Sequence, residues 1–148
     1  MTITINGRQV EAYNLLMKKE FAQEILNGQK KVEFRSLSDH YCRMFLDDNA
    51  AKKNKEAGLK PSDDGFDFGL RDTQYIHFHN YNNSWYLDVE VNGIGMCVVD
   101  SHDIESLAED FDDFKAFIED ARKNDELPED ERPMIFYLVL GDVVGTNL

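Results

Sequence analysis

Two strand-like runs flank a helix that has to end at Asn27-Gly28. This strand, helix, strand order within Asn14 to Ser36 (NLLMKKEFAQEILNGQKKVEFRS) restricts the fold more than any other stretch. Leu15, Leu16 and Met17 carry the first apolar run. Phe21 and Ile25, with Ala22 and Leu26, recur at helical spacing and predict one apolar stripe, while Glu20, Gln23 and Glu24 take the polar side. Glycine at position 28 suits the left-handed conformation that closes a helix, because it has no Cβ to clash with the backbone. Beyond it, Val32 and Phe34 alternate with Lys31, Glu33 and Arg35. Extended chain therefore turns two apolar side chains toward a core and two cations and a carboxylate to the other side, with Lys30 in the turn itself.

The flanking sequence is read by the same local rules. Ile3 and Ile5 alternate with polar residues and Asn6-Gly7 tolerates the positive φ of a tight turn, so Thr2 to Tyr13 predicts a hairpin or edge strand. Ser38 and Asp39 cap a helix on which Tyr41, Met44, Phe45 and Asp48 follow helical spacing, continued in solvent through Lys55 and ended near Gly58. Lys52, Lys53, Lys55 and Lys60 form the most basic cluster, read as a solvated face, and Pro61 to Gly65 reads as an exposed loop. Tyr75 to Asn80 and Trp85 to Val91 are strands joined at Asn82-Asn83-Ser84, and Ile94 to Val99 is expected as a third. From Ser101 to Asn124, Ile104, Leu107, Phe111, Phe114, Ile118 and Ala121 predict a long amphipathic helix, which Asp112 can restart as a second one. Met134 to Leu140 is a buried strand by its continuous apolar character, followed by Gly141-Asp142 and a short strand at Val143-Val144.

Gly28, Lys30, Glu33 and Arg35 reproduce the GxKxxExR pattern, and they follow a helix that is itself preceded by a strand. In this the chain resembles the ASCH domain family of the PUA-like group, and Met134 to Leu148 looks like the closing strand of such domains. The resemblance implies an α+β fold, a small PUA-like β-barrel with flanking helices. It implies one domain over residues 1–148, with an N-terminal hairpin extension (1–13) and a helical and loop insertion (37–71). It further implies a cleft beside the signature strand that binds RNA, a nucleotide or a modified nucleoside through Lys30, Lys31, Glu33 and Arg35.

Some members of that group are amidohydrolases of acylated cytidine that use a lysine, a threonine three positions later and a distant glutamate. Here Lys30 stands in the lysine position and Glu33 replaces the threonine, while the distant glutamate has no single counterpart, Glu105 and Glu109 being equally plausible by position. A carboxylate does not substitute for a hydroxyl nucleophile, since the acyl intermediate would be a mixed anhydride; the alternatives are Glu33 as general base on water with Lys30 as electrostatic partner and, more economically, Glu33 paired with Arg35 as an ion pair that shapes the cleft. Ribonuclease activity is a further property of relatives for which this sequence offers no assignable carboxylate cluster.

Charge limits the partners. The net −13 is unevenly distributed: residues 1–60 hold 11 Lys or Arg against 8 Asp or Glu, and residues 101–133 hold 4 against 13. Tight binding to duplex DNA is disfavoured, because phosphate contacts need local positive potential, and a small or single-stranded ligand is expected instead. An acidic face offered to a basic protein is the second alternative. His77 and His79 share a strand face, but no third ligand at a fixed spacing accompanies them, so a metal is not expected, nor is any cofactor. Cys42 and Cys97 lie far apart and are read as reduced, structural thiols. No run approaches membrane-span length and the N-terminus lacks signal-peptide sections, so a cytoplasmic location is expected.

Overall fold

A computed structural model describes residues 1–61 and 63–148; Ser62, in the loop expected at Pro61 to Gly65, lies outside the described residues. Among the described residues the order is β1 (Thr2–Ile5), β2 (Arg8–Glu11), β3 (Tyr13–Leu16), α1 (Lys19–Leu26), β4 (Val32–Ser36), α2 (Asp39–Phe45), α3 (Asp48–Ala57), β5 (Tyr75–His79), β6 (Tyr86–Val98), α4 (Ser101–Asp110), α5 (Ile118–Asn124) and β7 (Met134–Thr146). Short 3-10 stretches occupy Asp112–Phe117 and Glu129–Glu131. The class is α+β, with β1 and β2 as a separate hairpin and a curled, half-barrel sheet of five strands in the order β3-β5-β6-β7-β4. Contacts divide the chain into two compact units, Met1–Glu33 with Thr73–Ile94 and Leu138–Leu148, and Phe34–Asp72 with Gly95–Tyr137.

In the first unit the hairpin forms where Asn6-Gly7 predicts it, with φ of 50° and 78° at the two turn residues and Ile5 paired to Arg8. Strand β3 runs parallel to β5, and β5 antiparallel to β6. Alternation then sorts the side chains: Tyr13, Leu15, Ile76, Phe78, Leu87 and Val89 are all buried on one side of these strands. The stripe of α1 is narrower than its spacing predicts. Ala22 and Ile25 are buried, while Phe21 and Leu26 are each 40% exposed.

In the second unit the expected single helix after Ser36 is two. Ser38 caps α2, its Oγ accepting from the Tyr41 N–H at 3.3 Å, and Asp47 caps α3, its Oδ1 accepting from the Ala50 N–H at 2.7 Å. Between them Leu46 is extended (φ −74°, ψ 144°). A β-bridge to Leu70 holds it so, with Arg71 N–H donating to Phe45 O (2.8 Å) and Asp47 N–H to Gly69 O (2.9 Å). The long Ser101 to Asn124 pattern also breaks, at extended Phe111, and resumes through the 3-10 stretch. Phe114 in that stretch is fully buried, edge-on to Phe34 at 5.0 Å and to Tyr137 at 5.3 Å.

Strand β6 continues through Asn92-Gly93 and β7 through Gly141-Asp142, where the sequence predicts breaks. A Cβ on Gly93 would meet nothing within 4 Å, whereas Gly95 and Gly141 serve close packing between neighbouring strands. A Cβ on Gly95 would lie 2.5 Å from Tyr137 Oη, and one on Gly141 would lie 2.7 Å from Asn92 Oδ1.

Candidate functional site

The signature begins with a hydrogen-bonded helix stop. Gly28 has φ 82°, its N–H donates to Ile25 O (3.2 Å), and Gln29 N–H reaches back to Glu24 O (2.9 Å). This pair of bonds is the Schellman arrangement, which satisfies the last carbonyls of α1. Lys30 N–H also donates to Glu24 O (3.1 Å), so the turn carries Lys30 with it. The Lys30 ammonium donates to Val32 O at 2.8 Å and lies 6.0 Å from the centre of the Phe21 ring.

Strand β4 departs from a simple two-sided strand. Val32 is fully buried, as its parity predicts, and Lys31 is exposed, its carbonyl accepting from Leu140 N–H at 2.9 Å. Glu33, on the expected polar side, is only 7% exposed. In the second unit, Arg35 donates from Nη1 to the Tyr41 hydroxyl at 2.8 Å, with its guanidinium 5.5 Å from that ring's centre.

Other sequence candidates fall elsewhere. Glu105 and Glu109 are exposed on α4 of the second unit, and the basic cluster Lys52, Lys53, Lys55 and Lys60 is exposed too. Two hollows in the second unit have volumes of about 300 and 460 Å³. Cys42, Arg43, Leu46 and Phe66 are among the residues lining the smaller, Asp64, Phe68, Glu129 and Arg132 among those lining the larger; Lys30, Lys31, Glu33 and Arg35 line neither.

One group of polar residues in the first unit is legible only from strand register. His77 pairs across β5 and β6 with Asp88, His79 with Tyr86, and Tyr75 with Glu90, which puts all six on one sheet face. His77 Nδ1 lies 2.5 Å from Asp88 Oδ1, with side chains 15% and 12% exposed. The His77 ring stacks near-parallel with His79 (5.6 Å, 26°) and with Tyr86 (5.8 Å, 17°). His79 Nδ1 lies 2.9 Å from Asn80 O. Sequence reasoning singled out the two histidines and passed over Asp88. The signal was there: folding the strands symmetrically about Asn82-Asn83 brings 77 opposite 88.

Burial pushes the Cys97 thiol up to about 12, with Asp103 and Asp100 adding to it, and burial followed by Asp39 raises Cys42. Both cysteines are free, consistent with inert thiols. Among the described residues no group of three or more His, Cys, Asp or Glu is placed to hold a metal ion, and no helix is long and apolar enough to cross a membrane.

Comparison with known protein families, curated proteins and solved structures gave no match to this chain.

Proposed function

We propose that the chain is an ASCH-type, PUA-like domain that binds single-stranded RNA, a nucleotide or a modified nucleoside through the signature residues Lys30, Lys31 and Glu33, with Arg35 as the fourth member. The burial of Glu33 carries this reading. A strand face that merely solvates its charges does not leave a carboxylate 7% exposed, and desolvated ionisable groups concentrate where they are used. A carboxylate is an acceptor for the amino edge of a base, and lysine ammonium groups are phosphate contacts. Arg35 beside Tyr41 presents a cation with an aromatic ring, the kind of surface on which bases stack.

The charge distribution favours Lys30, Lys31 and Glu33, which stand in the first unit. The first unit carries five Lys or Arg against seven Asp or Glu, and the second 11 against 22, so a polyanion meets far less repulsion at the first.

The test is fluorescence anisotropy of a labelled short single-stranded RNA across a salt series. Lys30→Ala and Arg35→Ala are expected to weaken binding, and each lost phosphate contact flattens the plot of log K against log salt by about 0.7. Glu33→Gln is expected to change the preferred base while leaving that slope intact. Unchanged affinity in both alanine variants, with folding intact, removes the proposal.

A further inference from the structure

The β5/β6 face of the first unit holds chemistry that RNA or nucleotide binding at β4 does not use. A carboxylate only accepts, so the 2.5 Å contact requires His77 Nδ1 to carry its proton; Asn80 O imposes the same tautomer on His79. In the neutral rings, Nε2 is then the basic nitrogen of both imidazoles. Asp88 is 8% exposed, and His77 is its one hydrogen-bonding partner among the described residues. As scaffolding, this pair is poor value: two apolar residues in register would fill the place without desolvating a carboxylate. Stacking against His79 and Tyr86 holds the His77 ring in plane, and Gly145 packs beside its partner, where a Cβ would be in van der Waals contact with Asp88 Oδ2 at 3.6 Å and with Tyr86 at 3.8 Å.

We propose that His77, oriented by Asp88, is the general base of a hydrolytic site that takes a small uncharged carboxylic ester. The charge of the face selects that class. The two strand registers place Asn14, Leu16, Tyr75, His79, Tyr86, Asp88 and Glu90 around His77, two of them acids and none of them Lys or Arg. A phosphate or carboxylate substrate is repelled there. In the reaction His77 Nε2 takes a proton from water as the water oxygen bonds to the acyl carbon. The carbon–alkoxy bond then breaks, and the proton on Nε2 passes to the departing alkoxide. Ester and water become acid and alcohol, with no change of oxidation state. Tyr75 and Tyr86 are the phenolic donors on the face for the developing oxyanion. Asp88 is a positioning residue that holds the tautomer.

The experiment follows p-nitrophenyl acetate hydrolysis by the full chain, wild type against His77→Gln and Asp88→Asn, with His40→Gln and His102→Gln as exposed-histidine controls. The wild-type rate above buffer is expected to fall about 10²-fold in His77→Gln. It is expected to fall at least tenfold in Asp88→Asn, with both controls unchanged. The wild type is also expected to show the Nδ1–H tautomer of His77 by ¹⁵N NMR, a readout that stands even if a variant does not fold. A His77→Gln rate equal to wild type, a wild-type rate equal to buffer, or the Nε2–H tautomer at His77 each overturns the proposal. None of these outcomes bears on RNA binding by Lys30 and Arg35, so the two proposals fail separately.

Discussion

Replacing Gly28 by alanine isolates the backbone requirement of the signature turn. Gly28 sits at φ 82°, and a Cβ built there meets nothing within 4 Å, so no packing term enters. Holding an L-residue in the left-handed region costs about 1–2 kcal/mol. Alanine also narrows the unfolded ensemble, which offsets about 0.4–1 kcal/mol of that. The net destabilisation is about 1 kcal/mol, which for a chain near 150 residues lowers Tm by roughly 2–4 °C. Gly58 provides an internal comparison, because its φ is 64°, it closes α3, and its Cβ position is equally empty. Scanning calorimetry and urea unfolding should give Gly28→Ala and Gly58→Ala nearly equal losses. Asparagine at position 28, which tolerates this conformation, should cost less than alanine. An alanine variant at 28 as stable as wild type, or an asparagine variant less stable than the alanine one, refutes the account of how α1 ends.

Three further outcomes follow from the packing and the titrating groups. Gly95→Ala drives a methyl to 2.5 Å from Tyr137 Oη and 2.6 Å from Cζ, and is expected to cost about 1–3 kcal/mol in urea unfolding. Adding Tyr137→Phe should recover part of that loss by removing the nearest atom. The Ser101 hydroxyl, then its backbone N–H, hold the Asp125 carboxyl below its ordinary 3.8, with Arg132 adding to the effect. A depressed folded-state value gives stability that is complete above 3.8 and lost as pH falls through the lower folded value. The stability gap between wild type and Asp125→Asn should therefore be constant near neutrality and shrink in acid; a gap that widens in acid contradicts the pairing. Finally, a thiol reagent at neutral pH should label Cys42 ahead of Cys97, which is 3% exposed and pushed up to about 12, and both at equal speed only after unfolding.

What the chain's order of residues determines alone is whatever rests on local backbone preference. The Asn6-Gly7 hairpin, the stop of α1 at Gly28, the Ser38 cap and the alternation of Tyr75 to His79 all appear where neighbouring residues require them. Readings that depended on distant partners came out differently. Gly93 and Gly141 carry the same local signal as turn glycines, yet β6 and β7 run through them. At Gly141 the decisive fact is the neighbouring Asn92, which leaves no room for a Cβ. Helix α2 ends at Phe45 because Leu46 is drawn into a bridge with Leu70, more than twenty residues away. The site divides in the same way. Period-two alternation put Glu33 opposite Val32, but its burial depends on what covers that face, and the pairing of His77 with Asp88 depends on register between two strands. Local sequence sets which conformations are cheap. Tertiary contact chooses among them, because burial and cross-strand proximity are properties of residues far apart in the chain.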